Sequence, residues 1–139
     1  MEIWKLHASA VHFPIALSMA AFVFAAIAYI WKDESFTRAS WYTTVLLGLT
    51  GAAAILFGAL TLLKMAPTGD IAKAAHLHMW MGISTGVTAL VQFVWVLTLL
   101  FKKRTLSRRA LALYTALALV IMILAFTTGY LGAKLADMS

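Results

Sequence analysis

The stretch FPIALSMAAFVFAAIAYIW, Phe13 to Trp31, contains no charged residue and stops abruptly at Lys32-Asp33-Glu34. An α-helix needs about 20 mostly apolar residues to cross the hydrocarbon core of a bilayer, and this run has that length. Three more runs follow. Trp41 to Leu63 ends at Lys64 and the Pro67-Thr68-Gly69-Asp70 turn, Ala74 to Phe101 ends at Lys102-Lys103-Arg104, and Ala110 to Ala133 ends at Lys134. None of the four includes Asp, Glu, Lys or Arg. The connections are short, which makes neighbouring helices antiparallel. The expected fold is all-α: an integral membrane four-helix bundle forming a single domain over residues 1–139.

Composition agrees. The chain is 63% hydrophobic and 12% charged, against about 45–50% and about 25% in a soluble domain. The net charge of +6 does not read as a nucleic-acid surface, because the bases sit in connections between apolar runs and not along one face. The absence of cysteine excludes disulfides, thiolate metal sites and cysteine nucleophiles. Met1-Glu2-Ile3-Trp4-Lys5 pairs an acid with a single base, and no small-residue cleavage site closes the first run, so a removable leader is not expected.

Lysine and arginine in short loops set orientation. The first and third connections hold Lys32, Arg38, Lys102, Lys103, Arg104, Arg108 and Arg109, while the opposite side holds Lys5, Lys64, Lys73 and Lys134. The richer side is expected in the cytoplasm of a bacterial inner membrane, with both termini extracytoplasmic.

Small residues let helices approach closely in lipid. Thr44, Gly48, Gly51, Ile55, Gly58 and Leu62 recur at steps of three and four, as do Thr115, Ala118, Met122, Ala125, Gly129 and Gly132. His78, Gly82, Thr85, Ala89 and Gln92 repeat the pattern in the third helix. Such steps mark one face of a helix in a left-handed bundle. The pair Gly82 and Gly86 also has the spacing of a contact between protomers, so a homo-oligomer is open.

Four histidines carry the chemistry: His7, His12, His76 and His78. All lie at the N-terminal ends of two helices that run the same way, hence near one face of the membrane. Ionisable residues within a bundle are functional candidates by default, and histidine ligates both metals and haem. His76 and His78 are about 200° apart on a helix. His78 shares the small face, whereas His76 sits with Trp80, Ile83 and Val87 on the side expected to meet lipid. Pro14 disfavours a helical Phe13 and reads as a first helical residue, with His12 at the helix mouth and His7 in a preceding turn or kinked extension. His12 then runs into the Ala16 and Ala20 groove. His12 with His78 is the expected ligand pair, His7 and His76 being the alternatives. Gly58, Gly129 and Gly132 leave room for a flat macrocycle, and Tyr130 lies at the same level.

The stretch LHASAVHFPIAL, Leu6 to Leu17, resembles the opening signature of a bacterial family of four-helix membrane proteins, a domain of unknown function described as haem-binding and cytochrome b-like. The specific part is Val11 to Ala16, within an H-x4-HFPIAL pattern. The likeness covers essentially the whole chain and implies a four-helix membrane fold and a b-type haem. Ala8 stands where the family usually has proline after its first histidine, and no carboxylate lies near Thr61 to Lys64. These departures leave the first-helix ligand open between His7 and His12.

The function expected is electron transfer by bis-histidine haem b near the extracytoplasmic face, exchanging with a quinol or a redox protein. Haem iron held by two imidazoles has no open position for a substrate. The other face lacks histidine, so one chain is not expected to relay electrons across the bilayer. The alternatives are copper or other transition-metal handling, suggested by HLHMWMG at His76 to Gly82, and a cofactor-free subunit of a membrane complex. Hydrolytic enzymes are disfavoured by the lack of a carboxylate pair, nucleophile motif or phosphate loop. Channels and ion-coupled transporters are disfavoured by the lack of a mid-membrane ionisable residue.

Overall fold

The computed structural model describes residues 3–138. Met1 and Glu2, on which the expectation about a leader partly rests, lie outside the described residues. The elements are α1 (Ile3–Ala10), α2 (His12–Trp31), α3 (Glu34–Met65), α4 (Gly69–Phe101) and α5 (Arg108–Met138). Four spans, Leu6–Trp31, Glu34–Lys64, Gly69–Phe101 and Arg108–Met138, are long and apolar enough to cross a membrane. Helix therefore extends several residues beyond each apolar run.

The ends show why. The Asp33 carboxylate accepts hydrogen bonds from the backbone N–H and the hydroxyl of Ser35, at 2.8 and 2.6 Å, and so caps α3. Those bonds hold the carboxyl of Asp33 below its usual range. Arg38 then pairs with Glu34 at 2.9 Å, one turn apart. At the other boundary α4 stops in a left-handed residue, Lys103 with φ 49°. Its N–H reaches the Leu100 carbonyl at 3.2 Å and that of Arg104 reaches Leu99 at 3.0 Å, the Schellman pattern that usually employs glycine. Pro14 supplies no N–H to the preceding turn, so α1 and α2 meet at a break at Val11. The stretch before the break is a helical extension whose Val11 N–H still reaches the His7 carbonyl at 3.1 Å, and α2 begins at His12, two residues ahead of Pro14.

The four long helices pack in a closed ring, α2 on α3, α3 on α4, α4 on α5 and α5 on α2, while α1 lies against α3. Both termini and the α3–α4 turn share one end, called here the terminal end. The α2–α3 and α4–α5 turns share the other, the basic end.

Packing differs sharply between the two. Near the basic end Ala25, Trp41, Val96, Leu99 and Tyr114 form a buried core. All four helices meet at Tyr114. The hydroxyl of Ser40 donates to the Ala21 carbonyl at 2.7 Å, so Tyr114 must donate to Ser40 at 2.9 Å and accept from Thr44 at 2.8 Å. Gln92 completes the ring by donating to the Tyr114 carbonyl at 3.2 Å. Toward the terminal end such burial thins out. Among the described residues, none on α4 between Ala75 and Gln92 is buried, on α3 Ala54 alone is buried after Leu47, and on α5 none is buried after Ala125. That half is lined by half-buried side chains, and α1 makes no close backbone approach to α4 or α5.

Candidate cofactor site

The less buried half is where two imidazoles meet. His7 on α1 and His78 on α4 face each other across the bundle, with ring centres 6.1 Å apart and planes at 75°. Each ring is held the same way. His7 Nδ1 lies 3.1 Å from the Ala54 carbonyl on α3, and His78 Nδ1 lies 3.1 Å from the Thr128 carbonyl on α5. A carbonyl has no hydrogen to give, so each Nδ1 carries the proton. Nε2 of each ring is thereby left as a bare lone pair, the form in which histidine ligates a metal.

A glycine sits one turn beyond each acceptor. A Cβ added at Gly58 would lie 2.9 Å from His7 Cε1, and one at Gly132 would lie 3.0 Å from His78 Cε1. Both glycines are bare because an imidazole occupies the space. The arrangement is thus a duplicate: a histidine near the start of one helix, then a carbonyl and a glycine one turn later on the following helix. The histidine-to-carbonyl separations are 47 and 50 residues. The sequences echo it, Leu6-His7 with Leu77-His78 and Gly58-Ala59 with Gly132-Ala133. Two parallel hairpins, related by an axis along the bundle, place their histidines at the centre.

On the His78 side a further polar contact ties the two helices together. Thr85 and Thr128 hydroxyls are 3.0 Å apart and join α4 to α5 two turns along α4 from His78. Each hydroxyl also lies within reach of a carbonyl of its own helix, at 2.7 and 2.8 Å. With one hydrogen apiece, one of the two gives its hydrogen across to the other helix while the other keeps its own-helix bond.

The other expected residues lie elsewhere. His12 is exposed on the face that carries Phe13, Met19 and Val23, so the structure pairs His78 with His7 instead. The reason is helical phase. The inward stripe of α2 runs through Ala28, Ala25, Ala21 and Ser18, and the same steps of three and four lead back through Pro14 and Val11 to His7. The groove assigned to His12, Ala16 and Ala20 lies off that stripe. His76 is exposed, its ring edge-on to Trp80 at 6.2 Å. Tyr130 is 69% exposed and points away from the pair. Gly129 serves packing: a Cβ there would meet Ile15 Cδ1 at 2.7 Å. The carbonyls of Ala54 and Thr128 were not legible as partners, since any helix residue offers one.

A family model described as "predicted membrane protein", DUF2231, matches residues 4–138. The chain belongs to this family. The match takes in His7, His78, Gly58 and Gly132, so the duplicated motif lies wholly inside the family's extent. No curated protein and no solved structure matches the chain.

Proposed function

We propose that this protein is a membrane-embedded b-type haem protein whose iron is held by His7 and His78, and that it carries electrons near the membrane face to which its termini belong. The observation that carries the reading is the opposed pair itself. Two imidazoles ligating one metal from opposite sides, at about 2 Å per metal–nitrogen bond, have ring centres about 6 Å apart, and these stand at 6.1 Å. The donor chemistry suits haem in particular. Among the described residues no three His, Cys, Asp or Glu side chains gather to hold a bare ion, and a structural zinc site takes four protein ligands. Haem brings four nitrogens of its own and asks the protein for two.

The chain's own part is positional. Ala54 and Thr128 fix the tautomer of each ligand and raise the basicity of its Nε2. Gly58 and Gly132 let the rings reach those carbonyls. His7 and His78 would hold the haem, which would supply one-electron chemistry there. Gly58 lies about 9 Å of helix rise from Lys64, close to the headgroups. With the arginine-rich end in the cytoplasm, the pair faces the extracytoplasmic side, within reach of a quinol or a redox protein.

The test is a reduced-minus-oxidised absorption spectrum of the purified protein. The reading requires a Soret shift and sharp α and β bands; a protein that stays colourless after incubation with haemin rejects it. Gly58→Ala supplies a finer check. The new methyl pushes His7 off the Ala54 carbonyl while leaving the ligand in place, and loss of such an outer partner typically costs about 10–100-fold in metal affinity. Haemin titration should show a drop of that order, and Gly51→Ala, whose Cβ meets nothing within 4 Å, should show none.

A further inference from the structure

The basic end carries a second feature that the haem reading does not use. Lys32, Arg38, Lys102, Lys103, Arg104, Arg108 and Arg109 lie there against Asp33 and Glu34, so five of the six net positive charges sit at one end. Two of these cations are already engaged. Arg38 pairs with Glu34 at 2.9 Å, and Arg108 turns to α2, over the Tyr29 ring at 4.2 Å and onto its carbonyl at 2.8 Å. Lys103 and Arg104 instead line a groove between the end of α4 and the start of α5 whose walls include Trp95, Leu99, Leu106 and Ser107.

We propose that this groove seats an anionic phospholipid. The phosphodiester rests on Lys103 and Arg104, and an acyl chain follows Trp95, Leu99 and Leu106 into the bilayer. Charge complementarity selects an anionic headgroup, and the apolar wall descending from the two cations selects a lipid over a soluble anion. Basic pockets between transmembrane helices are recognised by such headgroups. Ser107 adds a donor: its oxygen accepts from the Ala110 N–H at 3.3 Å, which leaves its hydrogen to give.

Native mass spectrometry of the full chain with phosphatidylglycerol or phosphatidylcholine tests this. Wild-type protein should retain phosphatidylglycerol preferentially. Lys103→Gly with Arg104→Gln should reduce that retention roughly 30-fold, from about fivefold per charge near the surface. Lys64→Gln with Lys73→Gln, at the opposite end, should leave it unchanged. Lys103→Gly alone relieves the left-handed turn and therefore folds, and it should lose about fivefold. Equal retention of both lipids by wild type, unchanged retention in the double variant, an equal loss in the opposite-end control, or a lipid-free dimer that occupies the groove would each overturn the proposal.

Discussion

His78→Ala is expected to abolish the six-coordinate b-type spectrum while the bundle stays folded. Removing the imidazole takes away one of the two facing rings and leaves Gly132 without the side chain that fills the space beside it. His7→Ala should do the same from the other side, and any haem that remains in either variant should be five-coordinate. His12→Ala and His76→Ala supply the control. Both residues face outward, so the spectrum should survive in each. Absorption spectra of the four variants at equal protein concentration decide the matter: loss in His12→Ala together with retention in His7→Ala would reassign the first ligand.

The second large effect lies at the other end of the molecule. Tyr114→Ala is expected to destabilise the bundle by about 3–5 kcal/mol, the range for truncating a large buried aromatic. Tyr114 is fully buried, its hydroxyl and carbonyl bond to Ser40 and Thr44 on α3 and to Gln92 on α4, and Ser40 in turn donates to Ala21 on α2. Removal opens a cavity and leaves the Thr44 hydroxyl without the oxygen to which it donates. Tyr114→Phe keeps the ring, including its edge contact to Trp95 at 5.9 Å, and loses only hydrogen bonds worth about 1 kcal/mol each in a membrane. Unfolding in mixed detergent micelles should rank wild type above Tyr114→Phe and Tyr114→Phe above Tyr114→Ala. Equal stabilities would show that the basic half does not anchor the fold. The two experiments also separate two roles. His78→Ala should empty the spectrum with little change in unfolding, whereas Tyr114→Ala should lower stability and leave the band positions where they are.

The four helices were legible because lipid leaves backbone polar groups no choice but to pair within the helix, and because uncharged runs of that length have few other uses. The inward faces of α4 and α5 were legible too. Gln92, Thr85 and His78 keep step on α4, as do Ala118, Ala125 and Gly132 on α5, and these residues do meet other helices. The first helix was harder. Proline at position 14 marks a break, and reading the break as a helix start detached His7 from the stripe that follows it. The helical phase carries through Val11, whose backbone stays right-handed, so Ser18, Ala21, Ala25 and Ala28 point back to His7 and not to His12. Extending that small-residue stripe through the proline would have found the pair. Tyr130 misled because depth in the membrane is readable from position along a helix, whereas direction around the helix depends on which side its neighbours take.

Electron paramagnetic resonance of the oxidised, haem-loaded protein probes the opposed pair most directly, because it reports both axial ligands and the angle between them. Two imidazoles whose planes lie at 75° predict a low-spin ferric signal with a large maximal g value, replaced by a high-spin signal or by none when either His7 or His78 becomes alanine. A high-spin signal in the wild-type protein, or a low-spin signal that persists without both of these histidines, would contradict the account.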